Sequence, residues 1–230
     1  MSTLPNPMTK TDPSYAARTA LLQATLPHIP FDGWTSKSLK RGVENSGLPV
    51  GAEELYFSGG PLEMIEFWNA EMDKVVETDL AKLDLTKMRI RDKVTAGVLA
   101  RLYAIGPHEE AARRAIARTA LPDGLMLGPK ILWAAADTIW RAIGDTSTDI
   151  NYYSKRTTLS AVISTSLVSW LTDDEPEKTK ARAFLDARIE NVMQFEGAKF
   201  KVKKRLSDMP SPAEILGGLR YGKRRGKRRS

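Results

Sequence analysis

Apolar positions recur every three or four residues along most of this chain, and prolines and glycines cut the pattern into helix-length pieces. Tyr15 to Leu26 is predicted as a short helix with Ala17, Leu21 and Ala24 on one side, ended by Pro27 and Pro30. Residues 31–35 read as a turn, after which Thr35 or Ser36 can cap a second short helix, Lys37 to Asn45. Gly47 breaks it, and Val50 to Phe57 makes a third, closed by Ser58-Gly59-Gly60. Pro61 then occupies the favoured first position of a long fourth helix that runs to about Leu83.

The second half continues in the same rhythm. Leu85 to Ile105 carries Ile90, Val94, Val98, Leu102 and Ile105 on one stripe, and Gly106-Pro107 ends it. Glu109 to Ala120 has its acids first and Arg113, Arg114 and Arg118 later, the polarity a helix dipole favours. Beyond Pro122 and Asp123-Gly124, the run from Leu125 to Ile143 places Leu132, Trp133, Ala136, Ile139 and Trp140 at helical spacing. Gly144 and Asp145 close it. Ser147 or Thr148 can cap the next helix, Thr148 to Leu171, with Asp149 adding negative charge at its positive end. No charged residue occurs between Thr157 and Thr172, where Leu159, Val162, Ile163, Leu167 and Trp170 recur at three and four residues. A helix that apolar is buried in a core or lines an apolar cavity. Pro176 opens another, with Ala183, Phe184, Ile189, Val192 and Met193 on its apolar side, and a short segment, Pro212 to Leu219, follows. No strand pattern is visible, so the class is all-α, a helical bundle. The expected organisation is a flexible leader (1–14), a helix-turn-helix-like subdomain (15–60), a ligand-binding and dimerisation bundle (61–210), and a short amphipathic segment with a polybasic tail (211–230).

Composition narrows the chemistry. A hydrophobic content of 42% supports a real core, and the absence of cysteine excludes disulfides and thiolate metal sites. His28 and His108 are the only histidines, which argues against a histidine zinc site or a Ser-His-Asp triad. No Glu-x-x-His pair, phosphate-cradling glycine loop or Gly-x-Ser-x-Gly elbow occurs, so the expectation is a protein that is not an enzyme and needs no metal or cofactor. The leader is neither a secretory signal nor a transit peptide in pattern, and no apolar run approaches the roughly 18 residues of a membrane span. A soluble protein of a bacterial-type cytoplasm fits these features; the expectation of peripheral association with the inner membrane rests on the C-terminal residues and on a family resemblance.

The net charge of +7 has one origin. Residues 220–230 hold seven of the 35 basic residues and no acid, leaving 28 basic against 28 acidic residues in the body. Leu216 and Leu219 supply an apolar edge beside Arg220, Lys223, Arg224 and Arg225. Such a cluster suits an anionic membrane surface, although the same tail could hold nucleic acid nonspecifically or be a solvated end.

Three short helices with a glycine-bearing turn before the third are a helix-turn-helix layout, and Leu55-Tyr56-Phe57 followed by Gly-Gly-Pro-Leu is similar to the corresponding junction of TetR-type regulators. A ligand-responsive, DNA-binding TetR-type regulator is therefore the alternative function. Against it, the third helix offers Glu53 and Glu54 and no cation, so it lacks the phosphate contacts that supply most affinity for DNA; specific DNA is not an expected partner.

One stretch is more distinctive. Gly144-Asp145-x-Ser147-Thr148-Asp149-x-Asn151-x-Tyr153, followed by Lys155-Arg156, resembles the signature of the ninth coenzyme Q biosynthesis protein family, as do Trp140 upstream and Ala183-Phe184-Leu185-Asp186-x-Arg188 downstream. The resemblance covers roughly residues 16–196. It implies a TetR-regulator-like fold and a non-catalytic accessory role in ubiquinone synthesis. It also implies a homodimer, a bound isoprenoid quinone-like lipid and a C-terminal membrane-docking helix. The candidate lipid-binding residues are then Val94, Val98, Leu102, Leu132, Trp133, Ala136, Ile139, Trp140, Leu159, Val162, Ile163 and Leu167; plain core packing explains the same residue types. Small residues, namely Ala134, Ala135, Ala136, Ser160, Ala161, Ser164 and Ser166, leave room for a cavity or for a close subunit approach. The resemblance further implies that Asp149, Tyr152, Tyr153 and Arg156 form the surface that meets the demethoxyubiquinone hydroxylase, with Tyr152 standing where the family commonly has Trp. Tyr and Arg are types that anchor interfaces.

Overall fold

The computed structural model describes the backbone of residues 13–207 and the side chains of residues 13–194. Most of the predicted leader, the Pro212–Leu219 segment and the basic tail, with Leu216, Leu219, Arg220, Lys223, Arg224 and Arg225, lie outside the described residues. The described residues are all-α: α1 (Pro13–Thr25), α2 (Ile29–Asp32), α3 (Ser36–Ser46), α4 (Ala52–Tyr56), α5 (Gly60–Ala81), α6 (Ile90–Tyr103), α7 (Glu109–Thr119), α8 (Leu127–Ala142), α9 (Ile150–Thr172) and α10 (Thr179–Ser207). Two compact units divide the chain, residues 1–187 and 188–230. The packing, the cavity and the ion pairs of this fold belong to the first.

Local chemistry sets the boundaries. Thr35 begins α3 through a reciprocal cap: its hydroxyl accepts from the Ser38 amide at 3.3 Å, and the Ser38 hydroxyl accepts from the Thr35 amide at 3.2 Å. Gly47, left-handed at φ 72°, ends it. α1 and α3 approach closely because residue 42 is glycine; a Cβ there would lie 2.0 Å from the Thr25 hydroxyl oxygen. Trp34, buried after α2, donates its ring N–H to the Ala111 carbonyl at 2.9 Å and lies 5.4 Å from the Trp68 ring. That contact fastens the short helices to the bundle.

α5 runs through the middle of the bundle and buries Met64, Ile65, Trp68, Met72, Val76 and Leu80 at helical spacing. α6 starts later than its apolar pattern predicts. Leu85–Lys87 forms an isolated 3-10 turn, and Arg89 is extended. The Asp84 carboxylate accepts from Thr86 at 2.6 Å and pairs with Lys87 at 2.7 Å, local bonds that compete with helix, while Ile90 stays 48% exposed and adds no burial to favour an earlier start. Gly97 then lets α6 press on α8, since a Cβ there would sit 2.5 Å from Ile139 Cγ2. Asp173, buried beyond α9, begins α10: its carboxylate accepts from the amides of Ala181 at 2.9 Å and Glu175 at 3.1 Å. These hydrogen bonds, Ala181's foremost, hold its carboxyl below the usual carboxylate range.

Candidate functional site

A cavity of about 180 Å³ lies among α5, α6, α7, α8 and α9. α5 contributes Ile65, Trp68, Asn69 and Met72; α6 contributes Arg101 and Leu102, with Ile105 just beyond it. α7 contributes Ala112, Ala115, Ile116 and Thr119; α8 contributes Gly128, Ile131, Leu132 and Ala135; α9 contributes Ile163, Ser164, Leu167 and Val168. The void exists because Ala112, Ala115, Gly128, Ala135 and Ser164 meet where larger side chains would close it. Its rim reaches the surface, since Ile116 and Val168 are 41% and 54% exposed. The volume accommodates a ring and a few carbons, being slightly larger than a dry apolar cavity of about 150 Å³ that takes benzene.

Among its polar lining residues Asn69, Arg101, Thr119 and Ser164, one is charged. Arg101 is only 7% exposed and lines the void with Asn69, whose amide oxygen accepts from Arg101 Nη2 at 2.5 Å. Arg101 Nε lies 3.1 Å from Asp73 Oδ1, yet the two are not aligned as a hydrogen bond, and neither atom has a hydrogen-bond partner among the described residues. Burial pushes the Asp73 carboxyl up to about 6, with the Arg101 charge opposing it.

Of the predicted lipid-binding residues, Leu102, Leu132, Ile163 and Leu167 are on this wall. Val94, Val98, Ala136, Ile139, Trp140, Leu159 and Val162 are buried in the core away from it. Trp133 turns to a separate aromatic cluster, its ring 6.3 Å from Tyr152 and 6.1 Å from Tyr153. Of the small residues, Ala135 and Ser164 line the void, whereas Ala134 and Ala161 face outward and the Ser160 hydroxyl donates to carbonyls of Leu132 and Arg156. The walls from α5 and α7 were not among the predicted residues. Asn69 and Arg101 carried a readable signal, each being a polar residue on an apolar stripe: Asn69 between Ile65 and Met72, Arg101 between Val98 and Leu102.

The junction between α8 and α9 is built around Gly144 and Asp145. Gly144 is left-handed at φ 87°, and the amides of Gly144 and Asp145 donate to the carbonyls of Arg141 and Trp140 at 3.0 and 2.9 Å, the double closure of a Schellman end. α9 begins later than predicted: Asp149, rather than Ser147 or Thr148, caps it by accepting from the Asn151 amide at 2.9 Å. Ser147 instead donates to Asp145 at 2.8 Å. Asp145 is an ion-pair hub, bonded to Lys155 at 2.6 Å and to Arg156 at 3.3 Å. Burial works against its charged form, but the hydrogen bonds from Lys155 and Ser147 outweigh it and hold the carboxyl below the usual range.

Arg156, expected on an exposed partner surface, is 1% exposed. Its Nε donates to Asp137 at 2.6 Å, and its guanidinium lies 3.4 Å from the Tyr152 ring centroid. An uncompensated guanidinium belongs in water; two carboxylates from the α8 side draw this one inward. Asp149 and Tyr153 are exposed, the latter 61%, and Tyr152 is half-buried with its hydroxyl donating to Asp137 at 3.3 Å. α4 is five residues long, with Glu53 and Glu54 in its first turn. Among the described residues, no helix is long and apolar enough to cross a membrane and no cluster could hold a metal ion.

Residues 125–196, which supply α8, α9 and the start of α10, match the family model described as COQ9. This stretch is similar to COQ9-family sequences. Similar over a longer span is the protein called "Ubiquinone biosynthesis protein COQ9, mitochondrial" of Rattus norvegicus, 29% identical over 189 residues, covering 80% of this chain and 61% of that one. The Homo sapiens protein of the same name is 27% identical over 80% of this chain and 59% of its own length. The chain thus spans about three-fifths of the length of these curated relatives. Among solved structures, a TetR transcriptional regulator from Nitrosomonas europaea superposes with a TM-score of 0.62 at 12% identity, covering 76% of this chain and 97% of that one. The COQ9-like segment is therefore set in a TetR-like fold.

Proposed function

We propose that this chain is a non-catalytic, lipid-binding accessory protein of ubiquinone biosynthesis, which takes a polyprenylated quinone intermediate into the α5–α9 cavity and presents it to the demethoxyubiquinone hydroxylase. The observation that carries the reading is the coincidence of two features: an apolar cavity open at its rim, and a COQ9-family segment that forms two of its walls. A polyprenyl tail leaves a bilayer only where apolar surface replaces lipid. The cavity holds no more than the ring and the first part of the tail, so the remainder of the tail runs out past Ile116 and Val168.

The partner face in this reading is the cluster of Trp133, Tyr152 and Tyr153 beside Asp149, with Arg156 acting from beneath as its support. Small outward-facing residues on the same hairpin, Ala134 and Ala161, suit the close approach of a second copy and hence a homodimer. The basic C-terminus would hold the protein on an anionic membrane by charge, and that attachment weakens as salt rises. The TetR-like likeness extends to fold alone. The two carboxylates of α4 and its lack of any cation give DNA phosphates nothing to bind.

The test is lipid extraction from protein purified under mild conditions, followed by turnover of the hydroxylase with and without the protein. The expected result is an isoprenoid quinone in the extract and faster hydroxylation of membrane-held substrate. An extract holding only bulk phospholipid, with turnover unchanged, contradicts the proposal.

A further inference from the structure

We infer that the Arg101–Asn69 end of the cavity is a receptor for a hydrogen-bond-accepting oxygen on the head of the bound lipid, a ring carbonyl or phenolate, and that Arg101 sets the specificity of the site for oxygenated over purely hydrocarbon ligands. The inference rests on the cavity reading above and adds the chemistry of its deep end.

A guanidinium carries five N–H donors and no acceptor. Buried in a wall that includes Ile65, Trp68, Leu102 and Leu132, it needs strong partners, because taking a charge out of water without them is costly. Arg101 makes only one hydrogen bond among the described residues, to Asn69. Its carboxylate neighbour Asp73 is near enough for attraction but not aligned, and both facing atoms lack a hydrogen-bond partner. Elsewhere in this fold a buried guanidinium is better satisfied: Arg156 bonds to Asp137, Asp145 and the Tyr152 carbonyl. The two buried arginines differ in one further respect. Arg156 is not in the wall of this cavity, whereas Arg101 is. One of the Arg101 side-chain N–H groups is engaged in a hydrogen bond among the described residues, and the residue lines the space a ligand's ring would fill. A neutral hydrocarbon accepts no hydrogen bond from it; a ring oxygen does, through a charge-assisted hydrogen bond in a water-poor setting.

The test uses two probes with the same tail, 2-decyl-1,4-benzoquinone and decylbenzene. Their affinities are measured by competition against one reporter ligand for the wild-type protein and for Arg101→Gln/Asp73→Asn, which removes the cation and its counter-charge together. The wild type should bind the quinone at least about tenfold more tightly, the effect of one hydrogen bond to a charged donor. In the variant the two affinities should converge, with decylbenzene binding within about twofold of wild type because its apolar contacts are retained. Equal affinities in the wild type, or a preference that survives in the folded variant, overturn the inference while leaving the cavity reading standing. Failure of both probes to bind the wild type overturns the cavity reading and this inference with it. Circular dichroism establishes that the variant is folded; if it is not, the wild-type ratio decides alone.

Discussion

At the scale of single residues, two buried arginines hold opposite positions in the account. Arg156 is a supporting residue: two carboxylates and a tyrosine ring fix it beneath the α8–α9 junction. Replacing it with Met removes the shared partner of Asp137 and Asp145 while Arg141 and Lys155 remain paired with them, so the loss should be about 1–3 kcal/mol. Urea denaturation of Arg156→Met should show a loss of that order. A change below about 0.5 kcal/mol, the size expected of a surface substitution, would contradict this burial. Asp73 gives a pH signature instead. Its carboxyl is raised by burial from the ordinary 3.8 to about 6, so the unfolded chain releases that proton more readily than the folded one. The contribution of this carboxyl to stability is therefore largest below the unfolded value and falls as pH rises toward the folded one, by an upper bound of about 3 kcal/mol for a shift of this size. Asp73→Asn removes the titrating group. The wild type should lose stability relative to this variant between about pH 4 and pH 6 and no further above it; a difference that is flat across that window would count against a buried, raised carboxyl.

At the scale of elements, the close approach of α6 and α8 depends on Gly97, and the α8–α9 turn depends on Gly144. Gly97→Ala places a methyl 2.5 Å from Ile139 Cγ2 and should cost about 1–3 kcal/mol through overpacking. Ile139→Ala vacates that position, so the double variant should be more stable than the sum of the single effects predicts, a coupling that thermal melts of all four proteins would measure. Helix order was legible in the sequence because Pro27, Pro61, Pro107 and Pro122, with Gly47 and Gly144, interrupt a regular apolar spacing. The start of α6 was not legible. Leu85 and Ile90 continue the spacing, but local bonds around Asp84 and the exposure of Ile90 overrule it. The buried state of Arg156 was hidden for a related reason. Its partners Asp137 and Asp145 are 19 and 11 residues away in sequence, and only the folded hairpin brings them to it.

At the scale of the whole molecule, the hairpin of α8 and α9, which is similar to COQ9-family sequences, has two sides. Its inner side gives the cavity Leu132, Ala135, Ile163 and Leu167, and its outer end presents Trp133, Tyr152 and Tyr153. The inner contribution could be foreseen from a charge-free helix. The contributions of α5 and α7 could not, because a periodic apolar stripe does not reveal which of its residues face a neighbour and which face a void. Small side chains on α7 and α8 decide that, and their effect depends on how five helices converge. The central claim is that this convergence is where lipid sits, and filling it is the most direct test. Ala135→Leu adds bulk at a fully enclosed position of the wall. Native mass spectrometry of the wild type and of this variant, purified side by side, should find an isoprenoid adduct on the wild type and little or none on the folded variant. An adduct of equal occupancy on both proteins would contradict the claim that the α5–α9 cavity is the lipid site.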